Sequence, residues 1–341
     1  MLRQETKILS VKNISFSYGE KQVIKNLSFE LGKGEIAVFL GKSGVGKTTF
    51  IKLISGLEHP DSGVIKKYDQ VLSNDQVFIS PNKRKIAVVF QEDSLFPHLN
   101  VFENIKMANK KIEKEEIEKY FSIFQLNISL NAFPHELSGG QKQRISTIRA
   151  LAQNPDCILF DEPFSALDYH LRIKLRRHLK KILKENKISS IFITHDREEA
   201  LLLADRIFVM NNQKIIQKGT AKDIMEKPAN TYVADFLGAG IVIPSKALKE
   251  IKTDLSIKDA FYFFNSKKLK FESKKGELSL SGVITEKNIN SNSTFHYYFR
   301  LDELEEEFGP IDSAKNLSPG EKFHLHFPTD VREIIILSSG D

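Results

Sequence analysis

The sequence predicts an α/β domain built on a mixed sheet, followed by a small all-β domain. Three observations predict it. Short apolar runs rich in branched residues, at 36–40, 86–90, 157–160 and 190–194, are interleaved with longer stretches of helical periodicity. That is the pattern of buried parallel strands and their crossover helices. The first run passes directly into Gly41-Lys42-Ser43-Gly44-Val45-Gly46-Lys47-Thr48-Thr49. From about residue 241 the texture changes to short alternating aromatic and apolar runs separated by turn residues, as in an antiparallel β domain.

The stretch 41–49 fits the phosphate-binding pattern G-x-x-x-x-G-K-[ST]. A buried strand precedes it, and 49–55 is helix-compatible with Gly56 as a stop, so the glycines sit at a strand-to-helix turn. Glycine lets successive N–H groups face a triphosphate, and the helix N-terminus adds a favourable dipole. In this P-loop reading Lys47 reaches the β/γ-phosphates and the Thr48 hydroxyl takes one place on Mg²⁺.

Length and composition bound what else is possible. A chain of 341 residues has room for about two domains, and 41% hydrophobic residues suffice for packed cores. Apolar runs such as Ala200–Ala204 reach five residues, far short of the ~18 that cross a bilayer. No apolar stretch of the secretory type follows Met1-Leu2-Arg3-Gln4-Glu5, and Cys157 is the single cysteine. A reducing, cytosolic setting is therefore expected. The net charge of +6 is uneven: residues 241–341 carry 14 Lys/Arg and 16 Asp/Glu, net −2, which leaves +8 on residues 1–240. Such an excess serves nucleotide phosphates, nucleic acid or anionic headgroups, or is a solvated surface.

In chain order, Ile14, Phe16 and Tyr18 alternate with Ser15 and Ser17, and Leu27, Phe29 and Leu31 repeat the pattern after the polar turn Gly19-Glu20-Lys21-Gln22. This predicts an antiparallel β subdomain beside the nucleotide site. Tyr18 either stacks on a purine or packs at the strand end. Residues 60–85 read as polar and turn-rich. Gln91, just past the second buried run, is a contact for Mg²⁺ or an ordered water, or a plain loop glutamine. Residues 100–153 read as helical, with Ile112, Ile117, Tyr120, Phe121 and Phe124 as a core stripe. Leu137-Ser138-Gly139-Gly140-Gln141 precedes a helix expected from Lys142 to about Gln153 and makes a second anion-binding turn. One nucleotide does not need two such turns, so the second points to a nucleotide held by another subunit.

The run from Cys157 ends in Asp161 and Glu162. An Asp at such a strand end holds Mg²⁺ through water, and the following Glu is placed to polarise an attacking water. Ser165-Ala166-Leu167-Asp168 leads into an amphipathic helix over 169–187, whose charges read as a solvated face rather than a nucleic-acid stripe. The strand at 190–194 delivers His195 to the carboxyl end of the sheet, where open α/β sheets place their ligands.

In this order the motifs resemble the nucleotide-binding subunit of ATP-binding cassette transporters, over about residues 6–240. The resemblance implies a P-loop NTPase cassette in residues 1–240, with a mixed sheet core, an antiparallel β subdomain and a helical signature subdomain at about 92–153. Tyr18 matches the aromatic that stacks on adenine, 41–49 the phosphate loop and Gln91 the Q-loop. LSGGQ at 137–141 matches the family signature, 157–162 the Walker B strand with its catalytic Glu, 165–168 the D-loop and His195 the switch histidine. The resemblance implies two copies meeting head to tail around two ATP molecules. Ser138, Gly139, Gly140, Gln141 and Asp168 would reach the ATP of the other copy. Glu162, His195 and Gln91 would serve catalysis, and Thr48, Gln91 and Asp161 would hold Mg²⁺, Asp161 through water.

In the second part Phe295, Tyr297 and Phe299 alternate, as do Phe323, Leu325 and Phe327, and Leu278 and Leu280 share a face. Turn residues fall at Gly276, Gly309-Pro310 and Pro319-Gly320. This reads as a small OB-like barrel over 241–341. Such barrels also take oligonucleotides, but this one is net acidic and lacks a basic–aromatic groove, so its aromatics read as core. His324 and His326 share a strand face, as a surface pair or a metal site. Its placement resembles the C-terminal regulatory domain of importer ATPases for ferric iron, polyamines, sulfate and maltose-type sugars. Residues 91–104 (QEDSLFPHLNVFEN) resemble that group in the segment that touches the permease, and 236–244 look most like the ferric-ion importers. These resemblances imply a peripheral ATPase at the cytoplasmic face of the membrane, working with permease subunits and indirectly with a solute-binding protein, with no nucleic acid. The alternative from another class is a soluble cassette ATPase acting on nucleic acid or ribosomes. The single cassette, the absence of a heptad insert and the permease-type segment speak against it.

Overall fold

The chain divides into two compact units, Met1–Ala221 and Lys222–Asp341. A computed structural model describes residues 7–91, 95–238, 240–244, 261–265, 269–272, 279–289, 295–302, 304, 307–313, 316–326 and 335–337.

The first unit opens with β1 (Lys7–Tyr18) and β2 (Lys21–Gly32) as a hairpin. The strands expected near 14–18 and 27–31 are parts of it, and the turn shrinks to Gly19-Glu20, with Gly19 at φ 60°. A two-residue turn needs such a residue to match the strand twist. β3 (Ile36–Leu40) is buried at every position. α1 (Lys47–Ser55) ends at Gly56, whose φ of 84° lets its N–H return to the Lys52 and Leu53 carbonyls.

β4 (Ser62–Lys67) and β5 (Gln70–Ser73) occupy a stretch whose sequence reads as turns. The reason is chemical. Lys67 sits at a buried strand position where alternation asks for an apolar residue. Its ammonium is kept there by Asp156 at 3.2 Å and the Lys85 carbonyl at 2.9 Å. β6 (Ala87–Val89) is shorter than its apolar run.

The helical region resolves into α2 (Val101–Ala108), α3 (Lys114–Ile123) and α4 (Gly139–Ala152). Ile112, Ile117, Phe121 and Phe124 are buried, as the stripe predicts. Then follow β7 (Cys157–Asp161), α5 (Tyr169–Glu185), β8 (Ser189–Thr194), α6 (Arg197–Leu203), β9 (Arg206–Asn211) and β10 (Lys214–Gly219).

Two sheets result: an antiparallel one in the order β2-β1-β4-β5 and a mixed one in the order β10-β9-β3-β8-β7-β6. They share one core, in which the Phe29 ring meets Phe39, Phe50 and Phe208 edge-on at 5.0, 5.9 and 4.9 Å. Burying each such ring stabilises by about 1.5–3 kcal/mol. β6, β7, β8, β3 and β9 run parallel. Leu40 lies beside Thr194, Asp161 beside Ile193 and Phe160 beside Val89. The segments leaving β3, β8, β7 and β6 therefore emerge side by side at one edge, about 4.8 Å apart per strand.

The second unit holds α8 (Thr231–Leu237) after α7 (Ala221–Glu226), then β11 (Gly240–Pro244), β12 (Phe261–Asn265), β13 (Lys270–Glu272), β14 (Ser279–Ile289), β15 (Phe295–Leu301), β16 (Glu307–Ser313), β17 (Lys322–His326) and β18 (Ile335–Leu337). Both of its sheets are antiparallel, ordered β11-β12-β18 and β13-β17-β14-β15-β16. The expected all-β, OB-like character is therefore present. α8 packs on β11 and β12, which is why the division falls ahead of residue 240. Tyr297, Phe299, Phe323 and Leu325 are core residues. Gly309-Pro310, expected as a turn, lies inside β16. That strand is an edge, where proline costs no ladder bond. Gly309 at φ 134° sits at the register shift, where a Cβ would stand 2.6 Å from the Tyr297 carbonyl. The His324 ring nitrogen lies 3.1 Å from the Ser281 hydroxyl. Gly276, Leu278 and Phe327 lie outside the described residues. Among the described residues no helix is long and apolar enough to cross a membrane, and no group of three or more His, Cys, Asp or Glu residues is placed to hold a metal.

Candidate nucleotide site

The loop after β3 is closed by its own lysine. The Lys47 ammonium is buried and donates to the Gly41 carbonyl at 2.7 Å and the Lys42 carbonyl at 2.9 Å. Burial lowers its pKa, while Glu162 and Asp161 pull it back up. Gly46 caps α1 at φ 104°, and a Cβ there would stand 2.7 Å from the Val23 carbonyl. On Gly41 it would stand 2.7 Å from the Met210 carbonyl. Both positions therefore require glycine. Lys42, Ser43, Gly44 and Thr48 face solvent, whereas Val45 packs on the core and Thr49 is buried. The loop thus presents backbone and a helix N-terminus to whatever binds above it, a geometry suited to phosphate.

β7 delivers Asp161, 2% exposed, beside the Thr48 hydroxyl, which hydrogen-bonds to it. Burial raises its pKa and the Thr48 bond opposes the rise. Its Oδ1 has no hydrogen-bond partner. A buried carboxylate oxygen left unpaired next to a hydroxyl is a fitting donor set for a hard cation such as Mg²⁺. Glu162 follows at φ 47°, in the left-handed region, which costs a residue with a Cβ about 1–2 kcal/mol. Its N–H donates to Ile193 at 3.0 Å, and its carbonyl accepts from Gln143 Nε2 at 2.9 Å and the Ser165 hydroxyl at 3.0 Å. Its Oε1 lies 2.8 Å from His195 Nδ1. The side chain of His195 is 57% exposed and that of Glu162 only 14%. Gln91 is exposed beyond β6, and residues 92–94 lie outside the described set.

Tyr18 is 44% exposed, sits edge-on to Phe16 at 4.8 Å and donates to Glu58 at 3.0 Å. One side of the ring is thus used for strand-end packing and the rest faces solvent. Ser138 is the N-cap of α4, so the helix begins at Gly139 rather than Lys142. Its hydroxyl accepts from the Gln141 N–H at 3.3 Å, and the Gln141 side chain accepts from the Ser138 N–H at 2.8 Å. Gly139 stands clear, but a Cβ on Gly140 would lie 2.9 Å from the Ala166 carbonyl and the Leu167 side chain. Asp168 caps α5 by accepting from Leu171 at 3.0 Å.

Sequence reasoning missed several residues that hold this edge together. Gln143 is one. The others form an ionic cluster behind His195: Arg176, 2% exposed, donates to Asp196 and, at 3.2 Å, to Glu199, and Arg172 donates to the Leu167 carbonyl at 2.9 Å. On sequence, Arg176 belongs to a solvated helix face; the structure corrects this, because it lies on the inner stripe of α5. The signal was the Arg172/Arg176 pair one helical turn apart, matched by Asp196/Glu199.

Burial pushes the Glu199 carboxyl up to about 7. The folded state therefore binds this proton more tightly than the unfolded chain. The associated stability is full below about pH 4.5 and is lost as pH rises through about 7. Asp196 runs oppositely: burial works to raise it, but the Glu199 N–H and Arg176 outweigh that and hold it low, so its contribution is lost only in acid. The melting temperature is expected to fall between about pH 5 and 8, and Glu199→Gln to flatten that fall. Parallel melting profiles for the two proteins would contradict this.

A family model described as ABC transporter matches residues 24–165. The Fe(3+) ions import ATP-binding protein FbpC of Haemophilus influenzae (strain 86-028NP) is 41% identical over 252 residues, 71% of this chain and 71% of that protein. The chain belongs to the ABC transporter family. The spermidine/putrescine import ATP-binding protein PotA of Acetivibrio thermocellus is 42% identical over 242 residues, 69% of this ABC chain and 68% of that protein. Among solved structures, a dimeric post-hydrolysis state of the ATP-binding cassette MJ0796 bound to ADP and Pi overlays with a TM-score of 0.55 at 29% identity, covering 62% of this chain and 98% of that one. The ABC cassette expected from the order of motifs is the fold found, and its activity is that of an ATPase.

Proposed function

We propose that this chain is the ATP-hydrolysing subunit of an importer, with ferric iron as its solute. The observation that carries the hydrolytic part is the 2.8 Å contact between Glu162 and His195 at the sheet edge that also bears the phosphate loop. The solute rests on the names of relatives: iron in the FbpC proteins and polyamines in the PotA proteins, at nearly equal identity.

In this reading the triphosphate lies along 41–49, with Lys47 turning its ammonium from loop carbonyls to phosphate oxygens, and Tyr18 stacks on the base. Thr48, Gln91 and, through water, Asp161 would hold Mg²⁺, which when bound would neutralise charge on the phosphates. Glu162 takes the proton of the attacking water, and His195 holds Glu162 and the γ-phosphate in line. Ser138, Gly139, Gly140, Gln141 and Asp168 of one copy close over the ATP of the other. ATP then favours the closed dimer and hydrolysis releases it, a ligand-driven population shift. The chain works at the cytoplasmic face of the membrane, bound peripherally to permease subunits.

The test is ATPase turnover of the chain in detergent, with and without its permease, adding binding proteins loaded with ferric iron, spermidine or sulfate. Stimulation by the ferric-loaded protein is expected. Stimulation by the spermidine- or sulfate-loaded protein would move the solute, and turnover that responds to nucleic acid but not to permease would overturn the importer reading.

A further inference from the structure

Glu162 occupies a left-handed backbone conformation, φ 47°, which is unfavourable for a residue with a Cβ. Its neighbours show what holds it. Gln143 is 6% exposed and sits on α4, the helix that begins at the signature turn. Its Nε2 donates to the Glu162 carbonyl at 2.9 Å and to the Ser165 hydroxyl at 3.4 Å, and its Oε1 accepts from the Ala166 N–H at 3.4 Å. One buried amide thus spans the turn from 162 to 166. The same turn touches the signature again, through Ala166 and Leu167 against Gly140. Between Ser138 and Gln143 lies only a rigid helical stretch, about 7.5 Å at 1.5 Å per residue.

We propose that Gln143 is a positioning residue for hydrolysis: it locks the left-handed conformation of Glu162 and couples it to the seating of the signature turn. The second half rests on the reading above, in which residues 138–141 contact a nucleotide held by another copy. Seating of that nucleotide then bears on Glu162 of the same chain through one helix and one side chain. Without the Gln143 donor, Glu162 relaxes toward ordinary backbone angles and its carboxylate leaves the 2.8 Å contact with His195. The phosphate loop makes none of these bonds, so ATP binding is untouched.

The test uses the full chain with its permease and three variants. Gln143→Met keeps volume and removes all three bonds; Gln143→Glu keeps size and the acceptor but removes the donor, and serves where Gln143→Met does not fold. Glu162→Gln is the reference. Both Gln143 variants are expected to lose about 10- to 100-fold in kcat, with KM for ATP within about twofold and ATP-driven dimerisation retained. Wild-type kcat in both, or kcat and ATP affinity falling together, would overturn the positioning role. Turnover retained in Glu162→Gln would instead overturn the assignment of Glu162 itself, so the two failures are distinguishable.

Discussion

Glu162→Gln is expected to bind ATP as the wild type does and to hydrolyse it at least about a hundredfold more slowly, the lower range for removing a positioned general base. The amide has the size of the carboxylate and leaves the backbone bonds of Glu162 to Ile193, Gln143 and Ser165 in place. What it removes is a group able to take a proton beside His195. Lys47 and the loop carbonyls that hold it are unaffected, so affinity survives. With hydrolysis blocked, the ATP-bound closed dimer should accumulate, because the ligand that favours it is no longer consumed. Phosphate release under single-turnover conditions measures the first effect, and gel filtration with ATP measures the second. Wild-type turnover would remove Glu162 from the mechanism and leave His195 without its partner.

How much of this was legible in the sequence depended on range. β3, β7 and β8 are buried at every position, so their apolar runs announced them, and the motif residues follow those runs directly in sequence. Asp161, Glu162 and His195 could be read because a strand end fixes a residue two positions on. β4 could not, because a buried lysine answered by Asp156 breaks its alternation. The strand through Gly309-Pro310 could not, because its edge position excuses the proline. Gln143 and the Arg176 cluster were illegible for the same physical reason: each acts through a partner 19 to 23 residues away. In sequence such a residue looks like any polar residue on a helix, and only the fold shows that it is buried and whose carbonyl or carboxylate it meets.

Arg84→Met is expected to destabilise the first unit by about 3 kcal/mol or more, since each buried acceptor left unpaired costs about 1–3 kcal/mol. Arg84 is 1% exposed, and its guanidinium meets carbonyls rather than a carboxylate. Nε donates to Ile79 at 2.7 Å, Nη1 to Leu53 at 2.9 Å and Ile54 at 2.8 Å, and Nη2 to Leu72 at 3.4 Å. Leu53 and Ile54 lie in the last turn of α1, so the cation sits on the negative end of the helix whose other end begins at Lys47. Methionine matches the stem but abandons these acceptors, and lysine recovers only part because an ammonium lacks the planar fork. Burial pulls the Arg84 pKa down to about 10. Between about pH 6 and 9 the group is therefore protonated in both folded and unfolded chains, and its contribution does not change with pH. Glu199, at about 7, behaves oppositely across that window. Denaturant unfolding of Arg84→Met at pH 6 and pH 9 should thus give the same loss, while Glu199→Gln should change its effect between them. A loss for Arg84→Met that varied with pH would mean that the guanidinium is held by a titrating carboxylate rather than by the carbonyls at the end of α1.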